Sequence, residues 1–298
     1  MNKEEFLSRD RLLRAIGANG HFRISVVKTT QIVRTARESH GLSLLTSVLL
    51  GRALTGALLL ASNLKGEERI QLRMEGGGVV RSVTAEATSN GEVRGYVANP
   101  RAELDFQELT RLGDGMGAGV LTVSKSLYNR ARPVSGTVAL MRGNVNEDLA
   151  HYLLQSEQIP SAVSLDVALD DQGAVSEAGG VLVQAMPGAS GKEIERLEEN
   201  IRNMPTLGRQ LAGGYLEDVL GEVSKGLEVK ELARYPVDFF CRCSKERFRD
   251  SLALLDPDEL IAMKGETEEL VCHYCGSRYL FSREELEAIA QKAKVRQN

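Results

Sequence analysis

Four cysteines carry the clearest chemistry in this sequence. Cys241 and Cys243 form a C-x-C pair, Cys272 and Cys275 form a C-x-x-C pair, 28 residues lie between the pairs, and the chain has no other cysteine. Two close thiol pairs brought together by an intervening helical segment make a tetrahedral four-thiolate site, which zinc prefers at a Zn–S distance of about 2.3 Å. Four protein ligands leave no open position for water, so the pattern argues against metal-assisted hydrolysis. His273 sits inside the second pair, but the four thiols complete the shell without it. One zinc ion on Cys241, Cys243, Cys272 and Cys275 is the expected cofactor of the reduced chain. Four thiolates around a dication stay net negative, and Arg242, Lys245, Arg247, Arg249 and Arg278 are close enough in sequence to offset that charge.

The elements around the cysteines are short. Asp256-Pro257-Asp258-Glu259 carries an N-cap, a proline at the first helical position and a glutamate at N3. Ser282-Arg283-Glu284-Glu285 is a capping box that opens a second helix. A region this small, taken as 231–298, depends on its metal, because binding at such sites supplies about 10–16 kcal/mol of folding free energy. A structural staple is the plain reading. Two features suggest a switch instead: the first pair is C-x-C rather than the usual C-x-x-C knuckle, and a conditionally ordered segment precedes the site. That segment, 186–230, begins at Met186-Pro187-Gly188. Ser190 and Glu193 form a capping box, Ile194, Leu197 and Ile201 make one apolar stripe, and Pro205 ends the helix. After Gly213-Gly214, residues 215–223 read as another short helix with Leu216, Val219 and Leu220 on one face. Helices this short need a packing partner. Residues 186–230 therefore read as a linker that is ordered only while docked.

The remaining 1–185 read as a domain of mixed strands and helices. Strands are expected at 10–18, 22–28, 70–74, 79–87, 93–97, 120–127, 133–141, 162–169 and 181–185, and helices at 31–40, 42–62 and 146–157. Asn90-Gly91 marks a tight hairpin turn. Strands and helices cluster separately, so the fold class is α+β rather than a doubly wound parallel sheet. The segment 42–61 is long enough for a membrane span, but Arg52 at its middle makes a buried core helix the better reading. The chain has 298 residues, 42% hydrophobic and 26% charged, with a formal net charge of −4. That balance excludes wholesale disorder and lacks the basic footprint of a nucleic-acid binder. No targeting segment is read at the start of the sequence, so the cytoplasm, where thiols stay reduced, is the expected location.

The chain resembles the redox-regulated 33-kilodalton heat-shock chaperone family. The likeness runs through FFCRCSKERFRDSLALLDPDELIAM, ELVCHYCGSRYLFSREEL, DRLLRAIGANGHFRISVVKTT, LLGRALTGALLLAS and GEVSKGL. The resemblance implies an ATP-independent holdase, not an enzyme. In the family the reduced, zinc-bound form has little chaperone activity. Oxidation closes disulfides that correspond here to Cys241–Cys243 and Cys272–Cys275, zinc leaves, and the C-terminal domain and linker unfold. The exposed apolar surface then binds unfolding client proteins, and the active form is a homodimer. The stripe of Ile194, Leu197 and Ile201 is the client-binding candidate this implies. No membrane or nucleic-acid partner is expected.

Rival readings rest on less. A zinc module for nucleic acid needs a clustered basic stripe, which an isoelectric point near 5.8 does not favour. A thiol oxidoreductase using Cys272-His273-Tyr274-Cys275 needs a βαβ setting that the pattern lacks. The glycine-rich run from Gly113 to Gly119 precedes an expected strand rather than a helix, so it reads as a flexible loop and not a phosphate cradle. His21, His40 and His151 are scattered and frame no catalytic motif.

Overall fold

The computed structural model describes residues 7–104, 111–213, 215–263 and 265–297, the last five by backbone only. Residues 1–6, part of the stretch read for a targeting signal, and Gly214 of the linker break lie outside the described residues. The chain divides into two units, Met1–Phe240 and Cys241–Asn298.

The first unit is built on two sheets. The five-stranded sheet has the order β10-β1-β2-β9-β8, with β1 Arg11–Gly17, β2 Phe22–Lys28, β8 Ser161–Leu169, β9 Val175–Ala185 and β10 Val229–Pro236. The six-stranded sheet has the order β11-β5-β4-β3-β6-β7, with β3 Arg69–Gly76, β4 Ser82–Thr88, β5 Glu92–Val97, β6 Gly119–Ser126, β7 Val134–Ala139 and β11 Asp238–Phe239. All pairings in these two sheets are antiparallel except β11 with β5. Sheets with separately clustered helices make an α+β fold.

Helices α1 Thr30–His40 and α2 Leu44–Ala61 follow β2, and α3 Asn146–Gln155 follows β7. Gly41 ends α1 in the left-handed conformation at φ 60, and the Ser43 hydroxyl then starts α2 by accepting a hydrogen bond from the Thr46 amide. α2 is apolar over most of its surface because most of it is enclosed: 78% of it is buried, with Leu49, Leu50, Leu54 and Leu59 fully covered. Its neighbours in this core include Leu12 and Leu182 from the five-stranded sheet and Leu72, Met74 and Leu121 from the six-stranded sheet. α2 has the length of a membrane span but is packed as the centre of this core.

Several expected elements differ in extent. β4 starts at Ser82 and not at 79, because Arg81 turns with φ 65. β9 begins six residues before the expected 181; Gly179 and Gly180 interrupt its apolar pattern, although both pair with neighbouring strands. The run Gly113–Gly119 is not a free loop. Gly77, Gly78 and Val80 donate their amides to the carbonyls of Ala118, Met116 and Gly115, so two backbones lie against each other. A Cβ at Gly76 would overlap the Met116 carbonyl, and one at Gly113 the Arg142 carbonyl. These glycines permit close backbone packing.

The largest departure concerns the domain boundary. A C-terminal domain from 231 is expected, yet β10 pairs along the whole of β1, and β11 pairs with β5, so 231–240 belong to the first unit. β10 is an edge strand whose residues are mostly exposed and mix charged with apolar types, and it carries little hydrophobic periodicity to read.

Helices α4 Gly191–Asn203, α5 Leu207–Leu211 and α6 Leu216–Val223 also belong to the first unit. They cover the face of the five-stranded sheet turned away from α2. Along β1, Leu12 joins the α2 core, while Leu13 and Ala15 join a second cluster with Phe22, Ile24 and Val26. Side chains alternate across a strand, so the two clusters lie on opposite faces.

The second unit contains α7 Lys245–Leu252, α8 Pro257–Ala262, the hairpin β12 Thr267–Val271 with β13 Arg278–Ser282, and α9 Arg283–Gln297. Its core is small: Leu252, Leu260, Phe281, Leu286, Ile289 and Ala290.

Candidate functional site

The four cysteine sulfurs lie within 4.8 Å of one another. Cys241 and Cys243 come from the extended segment before α7, which the Ser244 hydroxyl caps by accepting from the Arg247 amide at 3.3 Å. Cys272 and Cys275 come from the turn between β12 and β13. There the Cys272 amide donates to the Ser277 carbonyl, and the Gly276 amide donates to the Cys272 carbonyl, both at 2.8 Å. The closest cross-pair contacts are Cys241 Sγ to Cys272 Sγ at 3.8 Å and Cys243 Sγ to Cys275 Sγ at 3.3 Å.

These distances exceed a disulfide bond of about 2.05 Å. They are near the edge of a tetrahedron built on four Zn–S bonds of about 2.3 Å, which is about 3.8 Å. The donor set fits a soft or borderline divalent metal: four thiols, Cys272 buried and the other three partly exposed. Burial pushes the Cys272 thiol up to about 12. A cation between the sulfurs would favour their thiolate form.

The surroundings hold the two cysteine loops in register. Glu285 and Ser282 make a reciprocal capping box at the start of α9: the Ser282 amide donates to Glu285 at 3.0 Å and the Glu285 amide to the Ser282 hydroxyl at 3.3 Å. Glu285 also accepts from Lys245 Nζ at 2.8 Å, which joins the start of α7 to the start of α9. That hydrogen bond from Lys245, before any other cause, holds the Glu285 carboxyl below its ordinary range. Tyr279, two residues after Ser277, donates its hydroxyl to Cys243 Sγ at 3.1 Å and stacks near Phe248. Sequence reasoning missed Tyr279 and Ser277; their place in the strand after a C-x-x-C turn is the only signal they leave.

The basic residues near the cysteines are only partly available to offset thiolate charge. Lys245 and Arg249 face Glu285, and Arg278 pairs with Glu269 at 2.8 Å. These pairs do not make a basic stripe.

The apolar stripe of the linker lies on the covered sheet face. Leu197 is buried there, and Ile201 packs against the same cluster half-buried. Ile194 lines a shallow cleft with Ala162, Val183 and Leu197. Deeper cover comes from Leu207, Leu211, Leu216, Val219 and Val223. Polar contacts fasten the ends. Glu193 completes the capping box with Ser190 and also accepts from Asn19 Nδ2 at 2.6 Å, with His21 Nδ1 at 3.2 Å. The Gly208 amide donates to Asp166 at 3.0 Å at the start of α5, and Lys28 Nζ donates to the Leu211 carbonyl at 3.2 Å at its end. An acid at the start and a base at the end suit the helix dipole.

The sequence profile of the Hsp33 protein family matches residues 10–282. The chain belongs to the Hsp33 family. It is 39% identical to the 33 kDa chaperonin of Desulforamulus reducens, over 95% of this chain and 98% of that one. It is 42% identical to the 33 kDa chaperonin of Thermus thermophilus, over 95% of this chain and 87% of that one. The crystal structure of the 33 kDa chaperonin of Thermotoga maritima, a heat shock protein 33 homolog, superimposes with a TM-score of 0.88 at 36% identity. It covers 97% of this chain and 99% of its own. As an Hsp33 chain the protein is a chaperone that binds unfolded client proteins, and its relatives bear a chaperone's name rather than an enzyme's. In this Hsp33 chain the clustered cysteines are able to hold a metal ion.

Proposed function

We propose that this chain is a redox-regulated, ATP-independent holdase, with one zinc ion held by Cys241, Cys243, Cys272 and Cys275 in the reduced form. The observation that carries this reading is the second apolar cluster. Its sheet half, from Leu13 to Val183, stays covered only while three short helices remain docked. The thiols are the sensor. Each disulfide, Cys241–Cys243 or Cys272–Cys275, forms with loss of two electrons and two protons from a pair of thiols, while one peroxide is reduced to two waters. A disulfide sulfur is no longer a thiolate ligand, so the metal is released. Zinc, when bound, supplies about 10–16 kcal/mol of folding free energy to a small domain. A core of six buried apolar side chains among the described residues does not replace it.

With the C-terminal unit unfolded, the linker helices leave the sheet and the apolar face binds unfolding proteins, with Ile194, Leu197 and Ile201 among the contacting side chains. The active form is a homodimer and works in the cytoplasm, where the resting thiols are reduced. The Cys272–Cys275 pair closes first, because the tighter C-x-C pair needs backbone rearrangement that follows unfolding. Trapping Cys241–Cys243 in protein whose linker is still docked overturns that order.

The deciding experiment measures zinc content and suppression of client aggregation together, without ATP, before and after peroxide at elevated temperature. The expected result is zinc release with gained holdase activity, both reversed by reductant and zinc. Zinc loss without holdase gain returns the cysteines to a purely structural role.

A further inference from the structure

Three buried or half-buried cations of the first unit meet a carboxylate. Lys28 pairs with Glu177 at 2.9 Å, Arg94 with Glu86 at 2.6 Å and Lys125 with Glu157 at 2.6 Å. Arg14 and Arg23 are built differently. Arg14 lies opposite Ser25 and Arg23 opposite Ile16, so they are diagonal neighbours on adjoining strands and share a face. They alternate with Leu13, Ala15, Phe22 and Ile24, which face the linker helices, so the two guanidinia lie on the other side, near the end of α2.

Their partners are neutral amides. Arg14 Nη2 donates to Asn63 Oδ1 at 3.3 Å, Asn63 Nδ2 donates to Gln184 Oε1 at 3.4 Å, and Arg23 Nε donates to the same Gln184 oxygen at 2.8 Å. Gln184 is buried, whereas Arg14, Arg23 and Asn63 are half-exposed and open to solvent. Among the described residues neither arginine has a carboxylate within ion-pair distance. Burial, and after it the like charge of Arg14, holds the Arg23 guanidinium below its ordinary value. The carbonyl end of α2 supplies a partial negative charge, but it offers neither arginine the bidentate acceptor that a guanidinium fork matches.

We propose that Arg14 and Arg23 form a binding site for a phosphate-class oxyanion, held at the right spacing by the Asn63–Gln184 amide relay. Two guanidinium forks on one sheet face, joined through the amide relay, suit a tetrahedral anion, which arginine serves better than lysine. The ligand is inorganic phosphate or the phosphoryl group of a longer phosphate chain. The site lies away from the linker-covered face, so the anion binds the reduced protein with its linker docked, and the inference does not depend on the redox reading.

The test is a ³¹P NMR titration of the full-length reduced protein, with inorganic phosphate and separately with tripolyphosphate, at constant ionic strength in chloride. Saturable binding is expected, weakened at least ten-fold in Arg23→Gln and in Gln184→Glu. The second variant places a carboxylate beside Arg23, filling the anion's place without removing a charge that the fold tolerates. Tighter binding of tripolyphosphate identifies a phosphate chain as the source; equal binding identifies a single phosphoryl group. Arg69→Gln, exposed on the six-stranded sheet, leaves binding unchanged. Failure of both probes to saturate, wild-type binding by Gln184→Glu, or equal loss in Arg69→Gln overturns the proposal.

Discussion

Helix α2 and the three helices α4–α6 cover opposite faces of one five-stranded sheet. α2 is a single 18-residue helix with fourteen buried residues, and its neighbours come from both sheets. The linker cover is divided among three pieces of 13, 5 and 8 residues, and α4 buries only Leu197. Both covers bury leucine and valine on the same strands, so the chemistry of the contact does not distinguish them. Continuity does. A helix buried along most of its length between two sheets cannot leave without opening the whole core, whereas short helices joined by Pro and Gly turns lose little else when they lift away.

This comparison can be broken at points of decreasing effect. The largest concerns the metal. Chelation under reducing conditions should unfold residues 241–298, since about 10–16 kcal/mol of folding free energy goes with the ion. Amide exchange should show α7 to α9 losing protection while α2 keeps it; protected α9 amides in the chelated protein would contradict a metal-dependent fold. Next are two leucines, one on each face. Leu54→Ala in α2 should lower global stability by about 2–5 kcal/mol in a urea titration. Leu216 is as deeply buried as Leu54, yet Leu216→Ala should leave the main transition in place and instead raise apolar-dye binding in the reduced state. If both variants shift the main transition equally, the linker is part of the permanent core.

A third test concerns the permanent side. Asp10 accepts from the Ile32 amide at 2.7 Å at the start of α1, its other carboxylate oxygen has no partner, and burial raises it to about 7. The folded state then holds a proton that the unfolded chain releases near the ordinary aspartate value of 3.8. Between those values unfolding releases a proton, so stability falls as pH rises, by about 1.4 kcal/mol per pH unit, and levels off above the folded value. Asp10→Asn should flatten that slope; an unchanged slope assigns it to other groups. The smallest effect is at the linker's first cap. Ser190→Ala removes the hydroxyl that accepts from the Glu193 amide and should cost about 1 kcal/mol of α4 docking. Faster amide exchange confined to α4 is the expected readout, and unchanged exchange would mean that Glu193's bonds to Asn19 and His21 suffice.

The cysteine spacing, the Ser190 and Ser282 capping boxes and the amphipathic faces of α4 and α6 were all legible in the sequence, because each is a local rule acting over a few residues. The linker's first helix starts at Gly191, one residue after its Ser190 cap, and Ser282 caps α9 with Glu285 in return. What is paired at long range was not legible. β10 has the sequence VKELARYP, in which charged and apolar residues mix without clean alternation, so only its pairing with β1 reveals it as a strand. Gly179 and Gly180 hide the middle of β9 for a different reason: they make room for Leu211 on one face and Leu165 on the other, neither of which is near in sequence.

The same division holds at the sites. Residue type and spacing alone determined that four thiols would meet, since thiolate chemistry and short loops leave few other arrangements. Tertiary structure alone decided that Tyr279 would reach Cys243, that Glu285 would tie two helix starts together, and that Arg14 and Arg23 would share one sheet face without a carboxylate. Side chains separated by tens of residues become neighbours only through strand register and helix docking, and those are set by the burial of apolar surface over the whole chain rather than by any local pattern.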